Sequence, residues 1–510
     1  MSRALFKSTS IVATMTFVSR ILGFARDIIA ARIFGATAAV DAFYIAFKIP
    51  NFMRGLFAEG SFSTAFVPTL AHYKQTQSER EIQQFIAHMT GVLGLILLIV
   101  SVVGVLGSKG LIALFAPGLD PYRFQLASEM LRITFPYLML ISLTALIGAI
   151  LNCYGLFWVP AFTPALLNLC LIATSFGMTR YFDVPVKAQA FGVLLAGLLQ
   201  LGFQLPFLKQ LNLLRRPRFK RRDPGVQQVL KLMLPALFGA SVGQISLLLN
   251  TVFASFLVAG SVTWLYYSDR LAYFPLGIFG VALMTVLLPH LSRQYAAKTP
   301  EAFSSTVNWG LRCNLLIGIP ASLTLLILSG PLIISLFHYG KFTLHDVLMT
   351  QRSVVAYAVG LQAFMLIKIL AATFYAQQNI RTPVRLGIIA LLVNVFLNAL
   401  LIFPFKHAGL ALASSLSAWL NAVLLLQGLR ARGILRWQSG WILFMWRLLF
   451  ANGALGLFLY WTAASLSVWL QWDWRQRFLH IVSLGFVSIL VYVGCLWISG
   501  LRFQDLKATP

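Results

Sequence analysis

The stretch from Ser19 to Glu59 combines an apolar sequence with eight charged side chains. Five are basic and three are acidic: Arg20, Arg26, Asp27, Arg32, Asp41, Lys48, Arg54 and Glu59. A charge at bilayer depth costs about 3 kcal/mol on insertion scales, so such residues persist mostly where they face water or each other. Guanidinium groups are always charged and match phosphate oxygens in a bidentate fork. The excess of bases predicts a hydrated cationic cavity for an anionic substrate, and several arginines favour a diphosphate over a monocarboxylate.

The composition of the chain predicts the element type that must position these charges. Of 510 residues, 59% are hydrophobic and 11% are charged, whereas soluble proteins carry about 25% charged residues. Apolar runs recur along the chain, and about 20 apolar residues suffice to cross the hydrocarbon core. We therefore predict an all-α polytopic membrane protein with about fourteen transmembrane helices. Their approximate cores are residues 9–34, 41–68, 86–107, 130–151, 160–178, 188–208, 230–258, 263–288, 310–328, 351–376, 384–404, 408–429, 441–470 and 478–500.

Basic residues in the loops predict the orientation of the chain. The loop after the sixth predicted span carries Lys209, Arg215, Arg216, Arg218, Lys220, Arg221 and Arg222. Because cytoplasmic loops are enriched in Lys and Arg, this loop and both termini are predicted to be cytoplasmic. The cluster from Arg215 to Arg222 is interpreted mainly as this topology signal, with contact to anionic lipid headgroups as a second interpretation. The net charge of +26 lies in such loops and within apolar segments, so nucleic acid is not a predicted partner.

The chain repeats itself at a nearly constant spacing. Gly55-x-Phe57 recurs as Gly277-x-Phe279, 222 residues later, and Tyr44 and Tyr266 share that spacing. The period holds six spans, so the copies share one orientation, which predicts two six-helix lobes related by a pseudo-twofold axis along the membrane normal. The predicted segments are residues 1–210 (N-lobe), 211–224 (basic cytoplasmic linker), 225–432 (C-lobe) and 433–510 (C-terminal helix pair and short tail).

The repeat serves as an internal control on the charges. When the two copies are aligned at this spacing, Arg20, Arg26 and Arg54 correspond to Val242, Leu248 and Leu276. Asp41 and Glu59 correspond to Thr263 and Val281. Since the second copy does without these charges, the architecture does not require them, which favours a functional interpretation of Arg20 and Arg26. Pairing with neighbouring acids or snorkelling to headgroups is the alternative, and it is equally good for Arg32 and Lys48. Asp269 and Arg270 provide either a further substrate contact from the second lobe or a local ion pair.

Catalytic and metal-binding patterns are absent from the sequence. There is no His-Glu-x-x-His motif, no phosphate-binding glycine loop and no nucleophile-elbow serine. The four cysteines, Cys153, Cys170, Cys313 and Cys495, form no Cys-x-x-Cys pair, so no metal site is predicted. We expect neither an enzyme nor a cofactor, and a driving force from an ion gradient or the membrane potential.

Several motifs resemble one protein family over nearly the whole chain. They include SRILGFARD from Ser19, KIPNFMRGLFAEGSFSTAFVP from Lys48 and YYSDRLAYFPLGIFGVAL from Tyr266. These segments are similar to the MurJ (MviN) lipid II flippases, within the multidrug/oligosaccharidyl-lipid/polysaccharide exporter superfamily. The resemblance implies fourteen helices and alternating-access transport of lipid II, the undecaprenyl-diphosphate-linked disaccharide pentapeptide, from the inner to the outer leaflet of the bacterial inner membrane. That activity belongs to peptidoglycan biosynthesis and so to the cell wall and cell shape.

The resemblance also assigns expected roles to individual residues. It implies diphosphate binding in the cavity by Arg20, Arg26, Arg54 and Arg270, a family acid at Asp41 and a gate residue at Glu59. Together with Asp269, these acids are predicted to act in gating or charge balancing. It places the lipid tail in a groove of the terminal helix pair, residues 441–500. Some relatives carry a glutamate where this chain has Tyr273, so no role of that acid is carried over. Membrane lipids are the other expected partners, and the protein is expected to act as a monomer.

Other functions stay open at the level of the sequence. One alternative is export of another polyprenyl-diphosphate-linked oligosaccharide. An exporter of drugs or cations would need an acidic cavity, whereas this one is predicted to be basic. A membrane enzyme acting on polyprenyl phosphates would need clustered acids or histidines at one membrane face, and a non-transporting scaffold would leave the buried arginines unexplained.

Overall fold

The computed structural model describes the backbone of residues 3–55 and 61–502, and the side chains of these residues except 3–10, 61, 63–64, 234–244, 246–247 and 281. Within these ranges the regular structure is helical, without a β-strand. The chain divides into two compact units, Met1–Thr263 and Trp264–Pro510. The predicted all-α fold is confirmed.

The first unit is built from long helices joined by short connections. Its helices are α1 (Arg3–Phe34), α2 (Ala38–Arg54), α3 (Ser61–Thr76), α4 (Glu79–Leu106), α5 (Ser108–Phe115), α6 (Pro121–Thr134), α7 (Tyr137–Cys153), α8 (Trp158–Gly177), α9 (Lys187–Gln210), α10 (Pro224–Ser255) and the start of α11 (Ser261–Pro275). Helix α1 packs on α8, α2 on α6, and α9 on both α7 and α8. These pairs bring the charged residues of α1 and α2 against α8 and α6.

Side-chain caps determine where several of these helices begin. Ser78 and Glu81 form a reciprocal capping box at the start of α4. Asp120 caps α6 and Asp223 caps α10, each directly before a proline at the first helical position. Such caps satisfy backbone N–H groups that have no partner inside the helix, and proline loses nothing there because its N–H would be unpaired anyway.

The second unit continues α11 and adds further helices. They are α12 (Val281–Ala296), α13 (Pro300–Phe337), α14 (Leu344–Ala376), α15 (Arg381–Ala431), α16 (Trp441–Thr462), α17 (Leu466–Gln471) and α18 (Trp474–Ile498). Helix α14 packs on α13 and α15, and α16 packs on α18. Helix α15 is broken at Lys406, where φ is +51° and ψ is −129°.

Membrane-length helices occur in both units. Ten helical stretches of the described chain are long and apolar enough to cross a membrane. The predicted cores fall on helices where the structure describes them, and residues 56–60 of the second core lie outside the described residues. Three cores are interrupted: 130–151 between α6 and α7 at Phe135 and Pro136, 263–288 by a π-helical turn, Leu276–Gly280, after Pro275, and 441–470 where α16 ends at Thr462 because Ala463 is extended. A single helix over 441–470 is therefore wrong. The count of fourteen, the symmetry of the lobes and the four predicted segments stay predictions.

Candidate functional site

Arg26 lies at the centre of a buried polar network between α1 and α8. Arg26 is only 7% exposed. The guanidinium donates to Asp27 Oδ1 from Nε (3.0 Å) and Nη2 (2.6 Å), and from Nη1 to Asn168 Oδ1 (3.1 Å). The predicted charge in an apolar helix is thus buried and ion-paired with its sequence neighbour, which the sequence analysis treated as the alternative arrangement.

Asn168 fixes this guanidinium from the side of α8. Its amide nitrogen donates to the carbonyl oxygen of Ser19 (3.1 Å), so its oxygen is directed to Arg26. Gly23 lies beside the amide, and a methyl group there would be 3.5 Å from Asn168 Nδ2. Sequence reasoning missed Asn168. The signal for it was a lone amide inside the apolar run from Ala165 to Ala173.

The other basic residues predicted in the first unit have different surroundings. Arg20 is exposed on α1, two turns before Arg26. Arg54 is half-buried at the end of α2 and donates from Nε to Asn51 Oδ1 (3.2 Å). Lys48 is half-buried, and Arg32 is exposed. Glu59 lies outside the described residues.

Asp41 is fully buried at the start of α2 and holds the beginning of α11. It is 0% exposed. Its carboxylate accepts hydrogen bonds from Gly260 N (2.7 Å), Thr263 N (2.9 Å) and Thr263 Oγ1 (2.6 Å). A carboxylate at a helix N-terminus satisfies unpaired N–H groups and interacts favourably with the helix dipole. Asp41 therefore ties α2 to the first turn of α11.

Arg123 adds a cation to this cluster, and sequence reasoning missed it as well. Its guanidinium contacts Asp120 from Nε, lies 3.7 Å from Asp41 Oδ2 and donates to the carbonyl of Leu257 from Nη2 (3.1 Å). The hydrogen bond from the Arg123 backbone N–H to Asp120 in the preceding loop lowers the pKa of that carboxyl. The sequence signal was the start pattern of α6, Asp120-Pro121, which places Arg123 one turn away.

The predicted residues of the second unit lie on α11. Arg270 is exposed, and its guanidinium is 5.1 Å from the centre of the Tyr266 ring and donates to that hydroxyl from Nη2 (2.9 Å). Asp269 is half-buried and hydrogen-bonds with Tyr357. Tyr273 packs its ring against Tyr357 and Phe364. Tyr273 is thus part of an aromatic cluster beside Asp269.

The structure gathers the predicted residues into separate sets. Arg26 is joined to Asp27 and Asn168, Asp41 to Arg123, and Asp269 and Arg270 lie next to each other on α11 with tyrosines on either side. Membrane-length helices that carry such buried charges define a multi-pass α-helical membrane protein with a polar interior. The roles assigned to Arg20, Arg26, Arg54, Arg270, Asp41, Glu59 and Asp269 stay predictions.

Comparison with known proteins identifies the family within this class. The family model described as "Lipid II flippase MurJ" matches residues 30–481, and the chain belongs to this family. The chain is 44% identical to "Probable lipid II flippase MurJ" of Vibrio cholerae serotype O1 over 99% of this chain and 98% of the relative. It is 41% identical to "Lipid II flippase MurJ" of Burkholderia cenocepacia, covering 99% of each chain.

Solved structures agree with this assignment. "Lipid II flippase MurJ, inward closed conformation" matches with a TM-score of 0.81 and 27% identity, covering 97% of this chain and 99% of the other. An inward-facing multidrug resistance MATE transporter of the MOP superfamily matches with a TM-score of 0.66 and 14% identity, covering 84% of this chain and 98% of the other. The second likeness concerns the fold alone.

Proposed function

We propose that this protein translocates lipid II from the inner to the outer leaflet of the bacterial cytoplasmic membrane by alternating access, for peptidoglycan synthesis. The observation that carries the proposal is end-to-end similarity to proteins named lipid II flippases, together with a buried arginine network in the same chain. The protein would act as a monomer in a lipid bilayer, with both termini in the cytoplasm and without catalysing a reaction on its substrate.

Arg20, Arg26, Arg54 and Arg270 are the proposed contacts of the diphosphate. Arg26 supports this role because its plane is already fixed by Asp27 and Asn168, and a fixed guanidinium loses little freedom when it binds phosphate oxygens. The Asp27 carboxylate balances the charge of Arg26. A diphosphate would compete with that carboxylate, so binding and release are expected to exchange one anion for another.

Asp41, Glu59 and Asp269 are the proposed gating or charge-balancing residues, and Asp41 lies on the predicted outer side. The support is that three donors of the segment from Gly260 to Thr263 converge on the Asp41 carboxylate. A movement that separates the start of α11 from α2 would break these hydrogen bonds.

Complementation tests the arginine assignments. The host's own flippase is depleted, and growth is restored with wild-type protein, Arg26→Ala or Arg270→Ala, each checked for membrane abundance. We expect the variants to fail because one phosphate contact is lost in each. Lipid II in the two leaflets is then measured directly, and failing variants should accumulate it in the inner leaflet.

Arg180→Ala is the matched control for Arg270→Ala. Arg180 is also an exposed arginine on a neighbouring tyrosine, 5.0 Å from the ring centre of Tyr181 with a 2.9 Å hydrogen bond to its hydroxyl. It lies outside the proposed site, so this variant should grow normally. Full growth and normal leaflet distribution with both Arg26→Ala and Arg270→Ala would remove these residues from the site.

A further inference from the structure

The connection between α9 and α10 is held against α4 along its length. We call residues 213–222 the basic belt; its backbone has no regular secondary structure from 213 to 220. The Arg218 N–H donates to the carbonyl of Ala87 (3.0 Å). Gln83, one turn earlier on α4, accepts from Arg215 Nη2 (2.6 Å) and donates to the carbonyl of Asn212 (3.1 Å).

Gly91 allows the basic belt to lie directly on the helix. A methyl group at this position would be 2.8 Å from the Arg218 amide nitrogen and nearer still to the Arg218 carbonyl. At the far end of the belt, Asp223 is bound by His88, with 2.9 Å between Oδ2 and Nδ1. The belt is therefore a fixed strip on α4.

The basic belt concentrates exposed positive charge without a compensating acid. Six basic side chains of this segment are exposed: Arg215, Arg216, Arg218, Lys220, Arg221 and Arg222. The belt itself contains no acidic residue, and Asp223 is already bound to His88 and to the first N–H groups of α10. Holding like charges at fixed positions is unfavourable unless anions gather there, so the strip is suited to a multivalent anionic surface.

The face of α4 that carries the belt continues as an apolar stripe. Ala87 and Gly91 are followed at helical spacing by Leu95, Leu98 and Val102, which are 40%, 47% and 50% exposed. Residues at spacings of three and four share one face of a helix. The belt thus lies at the polar end of an exposed apolar stripe on a helix of membrane length, an arrangement that matches a headgroup joined to acyl chains.

We propose that the basic belt and the exposed stripe of α4 form a binding site for anionic phospholipid of the leaflet on the predicted cytoplasmic side. The phosphate headgroups contact Arg216, Arg218 and Lys220, and the acyl chains lie along Leu95, Leu98 and Val102. This lipid is not the transported substrate, so the site goes beyond the proposed flippase activity. A role as a topology signal would require the same charges but not their docking on α4. This difference allows an experiment to distinguish the topology signal from the lipid site.

The test compares Gly91→Ala with Gly94→Ala in the purified full-length protein. Both add one methyl group to α4, but only the first displaces the belt, since nothing lies within 4 Å of a methyl group at Gly94. The measured quantity is the rise in thermal unfolding midpoint on adding phosphatidylglycerol, relative to phosphatidylcholine. Wild type and Gly94→Ala should show the full rise and Gly91→Ala less than half of it. A triple variant, Arg216→Gln, Arg218→Gln and Lys220→Gln, should lose it too while keeping the backbone docked.

Two further measurements complete the test. Phosphatidylglycerol retained through purification, counted by mass spectrometry, should fall at least twofold in Gly91→Ala and in the triple variant, but not in Gly94→Ala. Inorganic phosphate at the same concentration should leave the unfolding midpoint of the wild type unchanged. The proposal is overturned if Gly91→Ala and the triple variant keep the full lipid effect, or if inorganic phosphate reproduces it.

Discussion

At the scale of single residues, Arg26 combines burial with a neighbouring acid. Removing an arginine from water is costly, and an ion pair offsets that cost only when the remaining donors are also satisfied. The Asp27 carboxylate accepts hydrogen bonds from two of the guanidinium nitrogens, and the Asn168 amide oxygen accepts from the third. The amide is therefore a positioning residue whose effect is transmitted through the guanidinium.

Asn168→Ala tests this dependence. The substitution leaves one buried Nη1 group without this acceptor, and an unsatisfied donor of this kind costs about 2 kcal/mol. We expect a lower thermal unfolding midpoint and weaker complementation of a flippase-depleted host. Leu169→Ala is the control because Leu169 is the next residue of α8 but is 42% exposed. Equal effects of the two substitutions would show that the amide does not act through Arg26.

Arg123 belongs to the same scale, as the cation beside the buried Asp41. Arg123→Ala should destabilise the protein by about 3 kcal/mol, because breaking a buried pair leaves a charge without its counter-ion. The variant should also loosen the start of α11, measured as faster labelling of Ser261→Cys, a position that is 0% exposed, by an impermeant maleimide in a cysteine-free background.

A double-mutant cycle separates the pair from general damage. If Arg123 acts through Asp41, adding Asp41→Asn to Arg123→Ala should cost less than the two single effects combined, because the buried charge is gone. Additive losses in the unfolding midpoint would mean that the 3.7 Å approach contributes nothing. Arg123→Lys keeps the charge and should retain most of the stability.

The sequence predicted some of these residues and could not predict others. A charge such as Arg26 or Asp41 is conspicuous in an apolar run because of its transfer cost. Asn168 and Arg123 were not, since an amide is common in helices and Arg123 lies between two predicted spans, 86–107 and 130–151, where a base is unremarkable. Their importance arises only from tertiary contacts, with Ser19 and Arg26 for one and with Asp41 and Leu257 for the other.

At the scale of elements, helix α9 shows how glycine spacing sets helix contact. A methyl group at Gly192 would collide with Thr174 Oγ1 and lie 3.1 Å from Leu171 Cδ2, both on α8. At Gly202 of the same helix nothing lies within 4 Å of such a group. Small residues allow membrane helices to approach closely, where packing is the main attraction between them.

Gly192→Ala and Gly202→Ala form a matched pair on α9. The first overpacks the contact with α8 and should destabilise the protein by about 2 kcal/mol, and the second should be neutral or slightly stabilising because alanine favours helices. Thermal unfolding in detergent measures both. A neutral Gly192→Ala would mean that α8 moves away easily, and the packing argument would then fail for this pair.

The elements themselves were largely predictable, since apolar run length decides where a helix can cross a membrane. The length of an apolar run does not specify the local conformation of the backbone. The π-helical turn after Pro275 and the end of α16 at Thr462 both lie inside apolar runs. Run length counts apolar residues and does not report the backbone hydrogen bonding that changes at each interruption.

At the scale of the whole molecule, the contact of Asp41 restricts which residues the two copies of the predicted repeat can carry at this position. Its hydrogen-bond partner Thr263 is the residue 222 positions later, its counterpart in the repeat. Two acids facing each other at hydrogen-bond distance cannot both stay ionised. An acid that contacts its own repeat counterpart therefore requires a partner that is not an acid, and here the Asp41 carboxylate accepts from Thr263. The contact between Asp41 and Thr263 therefore requires that the two copies differ at this position.

The number of membrane crossings is decided in large part by α15. A straight helix of 51 residues would be roughly 75 Å long at 1.5 Å per residue, whereas the hydrocarbon core is about 30 Å thick. The break at Lys406 resolves this mismatch, and Arg432 Nη2 donates to Thr382 Oγ1 (2.9 Å), so the two ends of α15 lie together. Helix α15 is therefore expected to cross the membrane twice, as a hairpin.

Cysteine labelling in intact cells checks that expectation and, with it, the predicted count of fourteen. In a cysteine-free background, Phe405→Cys should react with an impermeant maleimide from outside, because the break at Lys406 is predicted on the outer side. Ile380→Cys and Trp437→Cys, at the two ends of the hairpin, should react only after the membrane is opened. Labelling of Ile380→Cys and Trp437→Cys from opposite sides would make α15 a single crossing. The count would then be odd, and the two termini could not share the cytoplasm.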